Sequence, residues 1–250
     1  MRIIISPAKK MNVVEGPLGW DNIPEFIEES AFILQKLQGM SYDELKKLWK
    51  CSDKIAEENV ARLENMDLRR GLTPAILAYE GIQYQHMSPA VFSQAALEYV
   101  TEHLRILSGF YGVLRPFDGV TPYRLEMQSK LKIADAKDLY GFWGSKLAEK
   151  IASETDCIIN LASKEYSTAI SKHLPEECRF ITCIFGEVTD DKIVEKGTLC
   201  KMARGEMVRQ MAENNIKKPD EIKKLALTSY SYAEEFSDDS TFVFIKTPSK

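Results

Sequence analysis

The sequence has little of what builds metal and redox centres. It holds only 3 histidines, His86, His103 and His173, far apart in the chain. None stands at a carboxylate–histidine spacing that would make a dedicated metal site. The 5 cysteines (Cys51, Cys157, Cys178, Cys183, Cys200) are odd in number and include no C-x-x-C pair, so neither a zinc knuckle nor a disulfide framework is indicated. Cys157 opens an apolar run and Cys183 sits inside another, and both are expected to be inert core thiols. A peroxide-sensing thiol is the alternative, and it requires an exposed, electropositive setting. Long apolar runs are also missing. No stretch approaches the roughly 18–20 residues of a membrane span, and the run in MRIIISPAKK is too short for a secretory signal. Nor is there an excess of positive charge: 33 Lys and Arg stand against 37 Asp and Glu, for a net charge of −4. Any surface that binds nucleic acid must therefore gather its cations on one face. There is no glycine fingerprint of a nucleotide-binding loop, no internal repeat and no obvious linker. A chain of 250 residues can be one large domain or two small ones, and the absence of a linker favours one.

What is present is concentrated between Leu104 and Met127, LRILSGFYGVLRPFDGVTPYRLEM. Arg105, Arg115 and Arg124 lie in this run, interleaved with Gly109, Gly112, Gly119, Pro116, Pro122, Tyr111 and Tyr123. Serine at N-cap and proline at N1 predict a helix starting at Ser88-Pro89. It is expected to run to about Leu107 and to stop at Gly109, since glycine tolerates the left-handed C′ conformation. The prolines restrict the residues before them to extended backbone. The run thus reads as a stiff surface connection rich in guanidinium groups, which suit phosphate or carboxylate oxygens. The plain alternative is a structural loop whose arginines pair with Asp118 and Glu126.

Along the rest of the chain, residues 2–5 (RIII) read as a strand. Ser6-Pro7-Ala8-Lys9 matches the S-x-x-K of serine acyl-enzymes in form only, because the partner motifs are missing; Lys9 is read instead as a cation lining a cleft. A helix is expected over about 24–37. Ser41 and Glu44 form a capping box for a helix ending near Lys50, and Ser52 or Asp53 caps the next one through about Met66. Two helices joined by a tight turn have the geometry of a helix-hairpin-helix, whose backbone N–H groups meet a DNA phosphate, with Lys54 placed to help. The usual hairpin glycines are absent, so a plain helical hairpin is the competing reading. Residues 73–79 read as a strand or short buried element, 138–153 as one helix led by Tyr140, Phe142 and Trp143, and 157–162 as a buried strand. A helix capped by Ser163 follows that strand, and Asn160, Ser163 and Lys164 are placed to line an anion site at the turn. Residues 179–185 form another strand, and the ends of the chain, 227–232 and 240–247, form a hairpin. Lys201 opens a helix through about Asn214 and shares a face with Arg204; two cations one turn apart suit a phosphate. Helices and strands do not alternate as strict βαβ units, which points to the α+β class.

The run LSGFYGVLRPFDGVTPYRLEM closely resembles the signature of the YaaA family of peroxide-stress proteins. IISPAKKM at the start, LYGFWG at 139–144, INLASKEY at 159–166 and KMARGEMVR at 201–209 continue the resemblance across essentially the whole chain. One departure is Gly81-Ile82-Gln83-Tyr84, aligned with a GDVY-type motif, where an acidic residue is lost. The resemblance implies a single cytoplasmic domain over residues 1–250 with the family's own fold, a helix-hairpin-helix, a basic cleft and DNA as partner. It brings no established reaction, so a binding protein without cofactor or metal is expected rather than an enzyme. The oligomeric state is left open, a monomer included. The residues expected to meet nucleic acid are Lys9, Ser52, Lys54, Arg105, Arg115, Tyr123, Arg124, Lys201 and Arg204, with Tyr111 or Tyr123 stacking on an unpaired base. The competing function is an enzyme for a small phosphorylated or carboxylated ligand held by Arg124, Lys201 and Arg204, with Tyr123, Glu126, Ser163, Glu165 and Tyr166 nearby. A closed pocket would favour it and an open groove would favour a duplex.

Overall fold

The predicted RIII strand is β1, Arg2–Ile5, and its three isoleucines are fully buried. The computed structural model describes residues 1–14, 16, 18–190 and 192–247. On one side β1 pairs in parallel with β2, Leu104–Ser108; on the other it pairs in parallel with β4, Cys157–Leu161. The sheet continues from β4 through β5 (Arg179–Thr189) to β8 (Thr241–Lys246), again in parallel. Antiparallel strands close its edges: β3 (Gly112–Leu114) beside β2, and β7 (Tyr230–Tyr232) beside β8. A further strand, β6 (Lys192–Val194), folds back on the far end of β5. The sheet draws on strands from residue 2 to residue 246, so the described residues form one mixed α/β domain. The α+β expectation is corrected in this respect. Helices and strands are mixed in one domain as expected, but the central strands run parallel. Parallel pairing needs long crossovers, and here the connection from β1 to β2 is so long that it does not read as a βαβ unit.

Helices follow the apolar stripes. α1, Ile27–Gln38, buries Ile27, Ile33, Leu34 and Leu37. α2, Tyr42–Trp49, begins with the Ser41–Glu44 capping box in both directions, and α3, Asp53–Glu64, follows it. Next come α4, Ile82–Met87, and α5, Gln94–His103. The predicted helix over 138–153 is broken into a short turn, Leu139–Trp143, and α6, Lys146–Ala152. α7, Lys164–Ser171, follows β4 directly, and α8, Gly197–Glu213, begins four residues earlier than expected at Lys201.

The largest difference from expectation lies in the arginine-rich run. It is not a surface connection. The helix from the 88–94 region ends at His103, and Leu104–Ser108 is a strand buried along its whole length. The segment LRILS is too short and too mixed for periodicity to separate helix from strand; pairing with β1 decides it. Gly109 is not a helix stop. A Cβ placed there would lie 2.8 Å from the Leu125 carbonyl oxygen, so the residue is glycine because two backbone segments approach closely. Trp143 is fully buried and its Nε1–H donates to the Gly109 carbonyl at 3.0 Å. Of the LYGFWG aromatics Trp143 is thus core, as the plainer reading had it, while Tyr140 and Phe142 are half-buried against it.

Candidate anion-binding crevice at the sheet edge

Parallel strands leave their carboxyl ends on one edge, and the point where the chain departs to opposite sides opens a crevice there. β1 is that point, with β2 and β4 on either side of it. The loop after β1 (Ser6–Lys10), the turn after β4 (Ser163–Tyr166), the start of α4 and the segment Tyr123–Glu126 surround a pocket of about 410 Å³. Lys201 and Arg204 of α8 complete the wall.

Short polar contacts hold these segments together. The Ser163 backbone N–H donates to Ser6 Oγ at 2.8 Å, and the two serine hydroxyls lie 3.2 Å apart. The Tyr84 hydroxyl donates to the Ser6 carbonyl at 2.9 Å. The Tyr123 hydroxyl sits 2.7 Å from Ser108 Oγ, at the end of β2, and 2.9 Å from the Tyr79 hydroxyl. α8 crosses α4 so closely that a Cβ on Gly205 would lie 2.1 Å from the Gln83 carbonyl oxygen. That crossing brings Lys201 and Arg204 to the same wall as Gln83 and Tyr84.

The charges are only partly matched. Lys10 pairs with Glu80 at 2.8 Å. Glu126 lies 3.2 Å from Lys9 Nζ and 3.4 Å from the Arg124 guanidinium, yet its Oε1 makes no well-formed hydrogen bond. Arg204 reaches Glu195 at 3.2 Å with one terminal nitrogen. The Nε–H groups of Arg124 and Arg204 are buried without a partner among the described residues. Among the described residues Lys201 has no carboxylate in ion-pair range, and it is exposed. Burial raises Glu165 above the ordinary carboxylate range, assisted by the charge of Glu126. Burial also pushes the hydroxyls of Tyr84 and Tyr166 well up. The pocket therefore offers cations and neutral hydroxyls to a ligand, with carboxylates that hold the cations.

Of the residues predicted to meet nucleic acid, Lys9, Tyr123, Arg124, Lys201 and Arg204 line this pocket. The others do not. Arg105 is the clearest correction: it is 6% exposed, and its Nε and one terminal nitrogen hold Glu154 at 2.8 and 2.6 Å. Arg2 and Lys150 join the same carboxylate, so Arg105 is a structural ion and presents nothing to a phosphate. Arg115 pairs with buried Asp118 at 3.0 Å. The plainer reading, in which the run's arginines pair with Asp118 and Glu126, therefore holds for both Arg115 and Arg124. Tyr111 is fully buried and Tyr123 is 5% exposed, so neither ring is open to stack on a base. Ser52 and Lys54 are exposed at the start of α3 and lie outside the pocket. The hairpin turn there is Lys50–Ser52, with Lys50 in the left-handed conformation; Asp53, in the first turn of α3, is held by Lys46 at 2.6 Å and by the Tyr42 hydroxyl at 2.9 Å.

Asn160 was expected at the anion site. Its side chain instead faces Thr182 and the Ala162 N–H. Sequence reading gave no role to Glu80 or Ser6, although both stand beside residues it singled out. Four cysteines are buried. Burial raises their thiols, Cys183 to about 12 and Cys200 to about 11, against the lowered values that reactive thiols need. Among the described residues no cluster of side chains is suited to a metal ion, and no helix is long and apolar enough to cross a membrane.

Comparison with known proteins gives the lineage. The sequence model of a family described as "Peroxide stress protein YaaA" matches residues 1–236. A UPF0246 protein of Lachnoclostridium phytofermentans is 52% identical over 248 residues, which cover 98% of this chain and 96% of its own. A UPF0246 protein of Agathobacter rectalis is 54% identical over 244 residues, 98% of each chain. One from Pediococcus pentosaceus is 49% identical over 246 residues. With a matching family model over most of its length and relatives at about half identity end to end, this chain belongs to the YaaA family of peroxide stress proteins.

Proposed function

We propose that the protein binds DNA during peroxide stress, with little sequence preference, and shields it from oxidative damage. The observation that carries this reading is the crevice at the sheet edge. It gathers Lys9, Lys10, Arg124, Lys201 and Arg204 from distant parts of a chain whose net charge is −4. Two guanidinium groups there carry a buried Nε–H with no acceptor among the described residues, and guanidinium geometry fits phosphate oxygens. The helical hairpin is the second contact in this reading. Ser52 and Lys54 are exposed at its turn, where backbone N–H groups at the start of α3 can meet a phosphate as in a helix-hairpin-helix.

The enzyme reading draws on the same pocket but lacks a paired nucleophile and base. The hydroxyls of Ser6 and Ser163 bond each other and a backbone N–H. Glu165 Oε1 accepts from the Gln128 N–H. Binding is accordingly preferred to turnover. The test is a titration of labelled duplex and bubble DNA at low and moderate salt. Binding in the micromolar range or tighter, falling steeply with salt, is expected if phosphate contacts dominate. No binding at low salt would sink the proposal.

A further inference from the structure

A double helix can meet only the rim of the crevice, and the interior has the size of a small-ligand site. Its volume of about 410 Å³ falls in the range of small-ligand sites, roughly 300–1,000 Å³. Its charges are specific as well. Lys9, Lys10, Arg124, Lys201 and Arg204 face Glu80, Glu126 and Glu165, an excess of two positive charges in the lining, with Glu195 holding Arg204 from outside it at 3.2 Å. Lys10 is spent on Glu80, and Glu126 lies between Lys9 and Arg124. That leaves Lys201 and the unmet Nε–H groups of Arg124 and Arg204 to answer a ligand. An unmet buried N–H is a cost already present in the folded protein, which an acceptor placed there relieves.

A phosphodiester inside a strand brings one negative charge and can meet only the cations at the crevice rim. A phosphomonoester brings about 1.5 to 2 negative charges at pH 7 and three acceptor oxygens. From charge, size and the two unmet guanidinium donors, we propose that the crevice binds a phosphomonoester carried by a nucleotide. Its source is the phosphate-bearing end of a broken DNA strand, or a free mononucleotide. The first of these rests on the DNA-binding reading above and sharpens it: the protein grips ends of the kind that oxidative scission of a strand leaves. Arg124 and Arg204 form the fork on the phosphate, and Lys201 supplies a third charge from the rim.

The experiment uses the full chain and internally labelled duplexes of one sequence, ending in 3′-phosphate, 5′-phosphate or hydroxyl. Inorganic phosphate and a free mononucleotide serve as competitors. At least tenfold tighter binding to one phosphate-ended duplex than to the hydroxyl-ended one is expected, and Arg204→Gln should erase the difference. Lys201→Gln, at an exposed site with no ion-pair partner, should reduce it without a change in melting temperature. Equal affinity for all ends would overturn the end-recognition proposal while leaving general DNA binding intact. If no duplex binds but the free mononucleotide does, and Arg204→Gln abolishes that binding, the DNA reading falls and the phosphomonoester site stands. If neither competitor nor any duplex binds, both readings fail.

Discussion

Arg105 and Arg124 come from one run of sequence and end in opposite circumstances. Arg105 is sealed against Glu154, with Arg2 and Lys150 on the same carboxylate. Arg124 keeps a buried Nε–H that no group among the described residues satisfies. Nothing in their spacing separates them, because the deciding partner of Arg105 lies 49 residues away in sequence. Removing one member of a buried pair costs about 3–5 kcal/mol. Two other cations remain on Glu154, so Arg105→Ala should fall near the lower end of that range. Denaturant melts should show the loss, and DNA affinity of the folded fraction should be unchanged. An Arg105→Ala protein as stable as the parent would contradict the structural role. Asp118 offers a second test at this scale. Burial raises its carboxyl from 3.8 to about 6, and the pairing with Arg115 offsets this only in part. The folded chain therefore holds this proton more tightly than the unfolded chain. The stability it contributes is present below about pH 4 and is lost as pH rises through about 6. The stability difference between the native protein and Asp118→Asn should thus grow in favour of the native protein as pH falls from 7 toward 4. A flat difference would exclude the raised value.

At the scale of elements, local signals were legible where local chemistry decides. The Ser41–Glu44 capping box, the apolar stripe of α1, the buried β4 and the terminal hairpin of β7 and β8 all stand where their residues place them. They fail where a distant partner decides, as at β2, a buried strand that contains Arg105 and follows a helix directly. The crossing of α8 on α4 was equally silent. Gly205 looks like an ordinary weak point inside a helix, and its reason is the Gln83 carbonyl beneath it. Gly205→Ala should force the two helices apart. Overpacking commonly costs about 1–3 kcal/mol, and contact with backbone, which cannot swing aside, puts this case at the upper end or beyond. Since the crossing also places Lys201 and Arg204, the variant should lose ligand affinity at temperatures where it remains folded. A Gly205→Ala protein with native melting temperature and affinity would mean that the crossing is looser than described.

At the scale of the whole molecule, the site is a consequence of topology. Ser6, Tyr123 and Ser163 meet because β1, β2 and β4 run parallel and end on one edge. The sequence named most of the cations in the crevice by their chemistry. It did not assemble them, since the long β1–β2 connection hides the parallel order. In the proposed function, the charge segregation that an acidic chain needs to bind DNA rests on this crevice rather than on the overall charge. The most direct test of the central claim is the salt slope of DNA binding, compared between the native protein and Arg124→Gln. If Arg124 takes a phosphate in the crevice, the variant should bind every sequence more weakly and its log–log salt slope should fall by about 0.9. An unchanged slope and affinity, in a variant that melts like the native protein, would place the DNA elsewhere on the molecule and contradict the account.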